Sequence, residues 1–414
     1  MALQGPLVVI TESPVDKLVK QLVAAGAFPV VESRWAEAAA AVTAVQPAAV
    51  VIAAHDHADP NTLAEFRDRI AKAEPYVPVI ALTARDTALP MAGALPVAAE
   101  RDGDRLVARL AAAQRVRDLH MTVLRRIKIF SEAHNNVPAL AQHDPLDDAV
   151  VLVLGRGRSY PALSVAVGER VGVIGALSIE AAGRCLATRE INGVVIGDGF
   201  SPKLIDAFVL VLSEDGRFRD LPIAVLGDGV CPEHLPNLLR ERDADRLVER
   251  ALPLVRLHAF QARLERMLKC LDARGMLDPE TGLLSEQAFM RDFEKAVEVA
   301  SDQGHGLSIA RFSFEEMLDR RACLDAARLT ARLMRKADFA CQLDDGSIVA
   351  AFIATDLRTA HVVARRLASA LKQTMLCSAR DRPSGPNVTL ATLKPNDTAL
   401  SLLARVTPRL VAAE

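Results

Sequence analysis

The sequence predicts an α/β fold with two consecutive doubly wound parallel sheets, followed by a third region built around a β-hairpin. Wholly apolar segments of strand length, such as 48–54 and 78–83, alternate with helical patterns, as is typical of parallel sheets covered by helices on both faces. The same alternation begins again at residue 148, so the chain contains an internal repeat. Near the C-terminal end, Asp345-Gly346 lies between two apolar runs. This is a strong hairpin signal, because both residues tolerate positive φ.

The composition fits a multidomain protein and gives no sign of a general nucleic-acid role. A chain of 414 residues is too long for one ordinary domain, and half of its residues are hydrophobic. The formal net charge of -2 provides no basic field, and only 4% of the residues are aromatic, so we expect no nucleic-acid binding. We also expect no membrane span, because no apolar stretch approaches ~18 residues without a charge or a proline. The six dispersed cysteines are typical of a reduced, cytoplasmic protein.

The first region, residues 1–134, is predicted to form one domain. Its predicted strands are 6–11, 29–32, 48–54 and 78–83, with 95–98 as a candidate fifth strand. Helical patterns fill the intervals, and 103–134 is predicted to be one long helix that ends in the basic run Arg125-Arg126-Ile127-Lys128. The polar segment 134–145 contains two prolines and is predicted to be a linker.

The second region, residues 146–272, repeats the first. Its predicted strands are 149–154, 170–174, 193–197 and 221–226. A helix is predicted at 178–189, and a long amphipathic helix with alternating charges at 246–273. The third region, residues 276–414, is predicted to be α+β. It contains a first strand at 307–314, a helix that carries Arg335 near its end, the hairpin, a last strand at 388–393 and a closing helix at 398–413.

The order of elements in the first region resembles response-regulator receiver domains, which have the flavodoxin-like fold. Phosphorylation in that family needs an acidic pair after the first strand to hold Mg²⁺ and an acceptor Asp after the third. Here one acid, Glu12, follows the first strand, and Asp56 lies two residues too far along. Thr83 matches the family's Thr, but the Lys of the fifth strand is missing. The resemblance implies a degenerate receiver that is not phosphorylated. His55 and His57 could suggest a metal site, although two loop histidines are more often solvated.

The second region resembles the same family and carries the best phosphoacceptor candidate, Asp198. The spacing of Asp198-Gly-Phe-Ser-Pro202 matches the acceptor motif. The Mg²⁺ acids are again missing, since Gly155-Arg-Gly157 follows the first strand; Gly227 replaces the Thr or Ser, and Glu249 replaces the Lys. The alternative is a strand-end Asp that caps the next helix. Gly155-Arg-Gly157 also resembles the start of a dinucleotide-binding loop. The third glycine of that motif is missing, so this indication is weak.

The third region resembles diguanylate cyclase (GGDEF) domains, which have a nucleotidyl-cyclase-like α+β fold. Asp278-Pro-Glu-Thr-Gly-Leu-Leu-Ser-Glu-Gln-Ala-Phe289 resembles the entry motif of that family, with Ser285-Glu286 in place of Asn-Arg. The signature turn has become Asp344-Asp345-Gly346-Ser347-Ile348. Arg311 and Ser313 stand where the family has metal-binding acids, and the following guanine-reading loop at 315–317 is short. A cation at the metal position opposes Mg²⁺ binding, so the resemblance implies a domain without catalysis and without a metal cofactor. Asp344 and Asp345 could in principle hold a metal, although Asp-Asp-Gly in a hairpin is usually turn chemistry.

Arg335-Lys336-Ala337-Asp338 matches the family's inhibitory-site motif, which binds cyclic di-GMP. An Arg fork can pair with a guanine edge or a phosphate, and an Asp can accept hydrogen bonds from guanine N–H groups. Residues three apart near a helix end project to one side, so both should reach one ligand. The family often adds an Arg from the next helix, which places Arg366 in the site, with Arg365 as the fallback. The alternative is an i,i+3 salt bridge on a solvated helix end.

The whole chain resembles response regulators with two receiver domains followed by a GGDEF domain. The resemblance implies a catalytically inactive cyclic-di-GMP effector that acts as a signalling adaptor in cell-cycle or regulated-proteolysis control. The expected partners are cyclic di-GMP, protease-adaptor or polar-localisation proteins at the cell pole, and a second copy of the chain in a homodimer. Two alternatives stay open: a residual diguanylate cyclase, and a protein scaffold that works without a nucleotide.

Overall fold

The computed structural model describes residues 3–53, 59–84, 87–98, 103–133, 139–229, 231, 235–314, 320–376 and 385–407. Within these residues the chain forms three β-sheets. It divides into two compact units. The first comprises Pro6–Arg117 and Leu140–Leu264, and the second comprises Ala2–Gly5, Asp118–Ala139 and Glu265–Glu414. The first two sheets therefore share one unit, and the three domain ranges given above remain predictions.

The first sheet is parallel and five-stranded. Its strands are β1 (Leu7–Ile10), β2 (Val30–Ser33), β3 (Ala49–Ile52), β4 (Val79–Thr83) and β5 (Leu95–Ala98). Its helices are α1 (Asp16–Ala24), α2 (Ala38–Val45), which a short 3₁₀ turn precedes, α3 (Pro60–Ala71) and the long α4 (Gly103–Ala133). The strand order is β2-β1-β3-β4-β5, which is the flavodoxin-like order. The fifth strand and the long helix are confirmed; His55, Asp56 and His57 lie outside the described residues.

The second sheet repeats this topology. Its strands are β6 (Val150–Leu154), β7 (Gly172–Ala176), β8 (Gly193–Ile196), β9 (Ile223–Leu226) and β10 (Leu238–Glu241). Its helices are α5 (Tyr160–Gly168), α6 (Ile179–Thr188), α7 (Pro202–Glu214) and α8 (Ala244–Leu271). The order β7-β6-β8-β9-β10 is again flavodoxin-like, so the internal repeat is confirmed at the level of topology. Strand β10 was not predicted, because half of this short strand is Arg240-Glu241 and its apolar run is only two residues long.

The third sheet is antiparallel and confirms the α+β prediction. Its strands are β11 (Leu307–Ser313), β12 (Phe339–Gln342), β13 (Ile348–Ile353) and β14 (Asn387–Thr392). Its helices are α9 (Glu286–Gln303), α10 (Arg320–Leu333), α11 (Leu357–Leu376) and α12 (Ala399–Ala404). From β11 to β14 the connectivity is βαββαβ with the strand order β12-β13-β11-β14, which is a ferredoxin-like arrangement. Helices α10 and α11 cover one face, and α9 and α12 the other.

The predicted hairpin joins β12 to β13. Gly346 has a φ of +79°, a conformation that glycine adopts without strain, and its N–H donates to the carbonyl of Leu343 at 2.9 Å. The Leu343 N–H in turn donates to the carbonyl of Ser347 at 2.9 Å, which closes the loop. In the described part of the chain, no helix is both long enough and apolar enough to cross a membrane.

Candidate functional site

Arg335 and Asp338 lie in a turn between α10 and β12, and not on the helix end that the sequence analysis assumed. Helix α10 ends at Leu333, and the Asp338 N–H donates to the carbonyl of Arg335 at 3.1 Å. The argument that two residues three apart project from one helix face therefore does not hold here. What brings the two residues together is the turn, because it folds residue 338 back onto residue 335.

Asp338 is a buried carboxyl group with one occupied oxygen. Its side chain is 8% exposed, and Oδ1 accepts the N–H of Ile353, the last residue of β13, at 3.0 Å. Within the described residues, Oδ2 has no hydrogen-bond partner. Burial raises the pKa of Asp338 to about 7, although the charge of Arg335 and the backbone N–H groups act in the opposite direction. The group therefore changes charge near neutral pH.

Arg335 is half-buried and keeps its guanidinium uncommitted. No hydrogen bond or ion pair joins it to Asp338, or to any other residue that the structure describes, although its charge lowers the pKa of Asp338. The i,i+3 salt bridge that stood as the alternative is therefore not formed. An Arg with five free donors beside a half-occupied carboxyl group is chemically suited to a polar ligand with donors and acceptors on one edge.

The turn is anchored to the C-terminal parts of both long helices, within the second unit. Lys336 Nζ forms an ion pair with Glu265 of α8 at 3.0 Å. The hydroxyl of Thr122 on α4 donates to the carbonyl of Ala337 at 3.4 Å. The Arg125 guanidinium lies over the Phe339 ring, 5.1 Å from its centroid. The backbone of this turn is thus held on the side that faces the two helices.

Beneath the turn lies a buried ionic cluster that the sequence analysis did not find. Asp292 of α9 is fully buried and accepts Nε of Arg125 and, at 3.2 Å, Nε of Arg126. Arg126 also binds Asp272 at 2.6 Å. Burial opposes the charge of Asp292, but the two guanidinium groups outweigh it and hold the pKa of this carboxyl below its usual value. A signal was present in the sequence, since Asp292 sits among the core residues Phe289 and Phe293.

Arg366, the third predicted ligand residue, is exposed on α11. This helix buries Ala360, Ala364 and Leu367 against the sheet, so Arg365 and Arg366 project away from the core. Among the described residues, neither arginine forms a hydrogen bond or an ion pair. No described contact brings Arg366 to Arg335 or Asp338, and its role in the site remains a prediction.

At the place where the resemblance expects a metal, the structure has an internal ion pair. Arg311 on β11 is buried, and its Nη2 contacts Oδ2 of Asp345 in the hairpin loop. Asp345 Oδ1 also accepts the N–H of Ser347 at 2.9 Å and its hydroxyl at 2.5 Å. Partial burial works against the charge of Asp345, but these bonds and Arg311 lower its pKa. Among the described residues, no group of three or more His, Cys, Asp or Glu side chains is arranged to hold a metal ion.

Asp198 caps a loop that precedes it by 40 residues, which corrects the prediction that it caps the next helix. Its Oδ2 accepts the N–H of Arg158 at 3.1 Å, and its Oδ1 accepts the N–H of Ser159 at 3.1 Å and the Ser159 hydroxyl. The Ser159 hydroxyl lowers the pKa of Asp198 most, burial works in the opposite direction, and the backbone N–H donors of the loop lower the pKa further. Gly157 lies so close that a Cβ there would overlap the Asp198 carboxylate. The glycine loop that weakly suggested a dinucleotide site thus binds the chain's own carboxylate.

Thr83, which matches the receiver family's Thr, is also engaged. Its hydroxyl accepts Nη2 of Arg250 at 2.7 Å, and the same guanidinium binds the Ala84 carbonyl at 2.8 Å and Glu241 at 2.6 Å. Glu249, at the predicted Lys position, accepts the N–H of Leu89 at 3.4 Å. Both residues join elements of the first sheet to α8 within the first unit.

The fold and the site together define an α+β domain of ferredoxin-like topology, with a polar turn beside its sheet, that follows two flavodoxin-like sheets. No protein-family model and no curated protein matches the chain. Among solved structures, the GGDEF domain of DgcB from Caulobacter crescentus, in complex with c-di-GMP, is similar at 16% identity, covering 32% of this chain and 85% of that chain with a TM-score of 0.29. The FimX GGDEF domain from Pseudomonas aeruginosa is similar at 16% identity, covering 32% and 88% with a TM-score of 0.27. At these values the likeness establishes neither a family nor a function for this chain.

Proposed function

We propose that the protein is a cyclic-di-GMP effector without cyclase activity, and that the nucleotide binds at the turn formed by Arg335 and Asp338. The observation that carries this proposal is the uncommitted guanidinium of Arg335 beside the half-occupied carboxyl group of Asp338. The ferredoxin-like topology and the position of the turn directly before the hairpin support it, because the resembling family carries its inhibitory motif there.

The chemistry of the ligand fits the two side chains. The guanidinium of Arg335 can donate two parallel hydrogen bonds to O6 and N7 of a guanine or to a phosphate. The free oxygen of Asp338, once ionised, can accept from the N1–H and N2–H groups of the same or the second guanine. Arg366, or Arg365 in its place, would then neutralise a phosphate from the next helix.

We infer the lack of cyclase activity from Arg311. By the resemblance to cyclase domains, its buried positive charge stands where a cyclase has a metal-binding acid, and Asp345 forms an ion pair with it. Condensing two nucleoside triphosphates requires metal ions to offset the phosphate charges, and a fixed guanidinium at that position repels them. The protein would therefore respond to the nucleotide without making it.

Calorimetry of the full chain with cyclic di-GMP tests the proposal. We expect Arg335→Ala to weaken binding by at least about tenfold, because a charge-assisted bidentate contact is lost. Arg358→Ala is the control, since this arginine is exposed, lies at the start of α11 and is not one of the proposed ligand residues. Equal heats for the wild type and Arg335→Ala would favour the nucleotide-independent scaffold. Synthesis of cyclic di-GMP from GTP would instead favour the residual cyclase.

In this proposal the nucleotide-bound protein acts as an adaptor. The two flavodoxin-like sheets would serve as docking surfaces for protein partners of regulated proteolysis or polar localisation during the cell cycle. Affinity capture with and without cyclic di-GMP, using the wild type and Arg335→Ala, tests this step. Partners that bind equally to both proteins in both conditions would count against nucleotide control.

A further inference from the structure

Helix α7 of the second sheet has an apolar stripe on the side that faces away from its core. Four residues, Ile205, Phe208, Val209 and Leu212, pack into the sheet. On other sides of the helix, Leu204 is 45% exposed, Leu210 52% and Val211 63%. Single exposed apolar residues are ordinary on a protein surface. Leu210 and Val211, however, are adjacent residues turned away from the core, and Leu204 lies on the flank of the helix, so we treat Leu210 and Val211 as a candidate binding surface.

The ends of this stripe carry opposite charges with no partner among the described residues. At 100° per residue, Lys203, Ala207, Leu210, Val211 and Glu214 fall on the side of the helix opposite the buried one. Lys203 and Glu214 are exposed and form neither an ion pair nor a hydrogen bond within the part of the chain that the structure describes. Neighbouring acids are already used, since Asp206 pairs with Arg240 at 2.5 Å and Asp215 with Arg217 at 2.7 Å.

The two charges are also placed against the dipole of their own helix. A cation is unfavourable near a helix N-terminus and an anion near a C-terminus, yet Lys203 lies in the first turn and Glu214 in the last. An antiparallel copy of the same helix would reverse this, because Glu214 of the partner subunit would then lie near Lys203 and the N-terminus. The stripe is thus complementary to itself, as an isologous two-fold interface requires.

We propose that two copies of the protein associate through α7, with the helices antiparallel and the two-fold axis between Ala207 and Leu210. Leu210 and Val211 of each protomer bury their side chains against the partner, and Lys203 forms an ion pair with the partner's Glu214 at each end. A contact of one helix per protomer is small beside a standard interface of about 1,600 Å², so we expect a dimer in the micromolar range.

Elements of the two flavodoxin-like sheets contact each other within the first unit, and the contacts described here involve no residue of α7. Arg109 on α4 donates to the carbonyl of Pro96 at 2.6 Å and to that of Pro236, which precedes β10. Arg115 forms an ion pair with Asp220 at 2.9 Å. Helix α4 therefore contacts the segments that precede β9 and β10 within the first unit.

Sedimentation equilibrium of the full chain over a range of concentrations tests the interface. We expect Val211→Glu to weaken the dimer at least about tenfold, since it places a like charge near the two-fold axis. Val362→Glu is the control, because Val362 is 66% exposed on α11 and lies in the other unit. A wild type that is monomeric at every concentration, or equal dissociation constants for the two variants, would overturn the proposal.

A charge exchange makes the test specific to the antiparallel geometry. Lys203→Glu and Glu214→Lys each create two like-charge pairs in their own homodimer, so each alone should dimerise more weakly. Mixed in equal amounts, the two variants have opposite charges at both ends and should form a heterodimer at least as tight as the wild-type dimer. Absence of preferential heterodimer formation would overturn the antiparallel pairing even if dimers form by another face.

Discussion

Asp198 and Asp338 are the two acids that the sequence predicts as a phosphoacceptor and as a ligand-binding residue. In the structure they differ in burial and in how many of their oxygens accept hydrogen bonds. Asp198 is exposed, yet both of its oxygens accept hydrogen bonds from residues 158 and 159. Asp338 is buried, yet only one of its oxygens accepts a hydrogen bond, and the uncommitted Arg335 lies three residues before it in the same turn. The exposure of an acid therefore says little about its availability to a ligand, because nearby hydrogen-bond donors can already occupy its oxygens.

The two environments also move the pKa of the two acids in opposite directions. Hydrogen bonds to the ionised form lower the pKa of Asp198, whereas burial raises that of Asp338 to about 7. Asp198 is therefore held as an anion by the fold, and Asp338 is held close to its point of titration. Only at Asp338 could a bound ligand shift the carboxyl group between its protonated and ionised forms near neutral pH.

The largest effect should appear in the pH dependence of stability caused by Asp338. Its folded-state pKa lies above the unfolded value of 3.8, so between these values the folded chain holds a proton that the unfolded chain releases. The free energy of unfolding should therefore fall as pH rises from 4 to 7, by as much as about 4 kcal/mol, and level off above that. Urea unfolding of the wild type and Asp338→Asn measures the difference. Parallel curves for the two proteins would show that the group titrates normally.

The next effect concerns the ligand. If the guanine N–H groups bind ionised Asp338, binding below pH 7 must first remove a proton from this carboxyl group. The dissociation constant for cyclic di-GMP should therefore rise about tenfold for each unit by which the pH falls below 7. Calorimetry in two buffers of different ionisation enthalpy should detect the released proton. Asp338→Asn should bind with little pH dependence. A wild-type affinity that does not change between pH 6 and pH 8 would remove Asp338 from the site.

A smaller effect is expected for Asp198→Ala. The loop at residues 158 and 159 would lose its acceptors, and by analogy with the loss of a helix cap the free energy of unfolding should fall by about 1 kcal/mol. Because the folded-state pKa is below the unfolded one, this stabilisation is present above pH 4 and is lost as pH falls through the folded-state value. Denaturation at pH 7 and pH 3 compares the two conditions; an equal loss at both would mean that charge plays no part.

The smallest effect should be on phosphorylation. With both Asp198 oxygens engaged, and no acidic pair after the first strand of this region in the sequence, we expect acetyl phosphate to leave the protein unlabelled. Mass spectrometry of the intact chain measures this, with Asp198→Asn as the control. A phosphoryl adduct in the wild type that disappears in the variant would restore Asp198 as a phosphoacceptor.

The sequence predicted the sheets better than the side-chain contacts. The reason is the separation along the chain: a strand is specified by adjacent residues, whereas the partners in these contacts are far apart in sequence. Apolar runs such as 48–54 predict a buried strand from local composition alone, and the strand there, Ala49–Ile52, is wholly buried. The partners of Asp198 lie 39 and 40 residues earlier, and Arg125 meets Asp292 across 167 positions. Such pairs depend on how the elements pack, which the order of residues does not reveal. Arg335 and Asp338 could be predicted as candidates because their motif is local, but the turn that holds them could not be predicted, and their role stays a prediction.

The loop around Asp198 constrains how this sequence can diverge. Because a Cβ at residue 157 would overlap the Asp198 carboxylate, replacing Gly157 requires that carboxylate to move or to be lost, whereas Asp198 can be replaced alone. Descendants of this gene that replace the glycine should also have lost the acid, and those that keep the acid should keep the glycine. Covariation of these two positions in an alignment of homologous chains would show that the Asp198 carboxylate is kept because it binds the backbone N–H groups of the loop after Gly157.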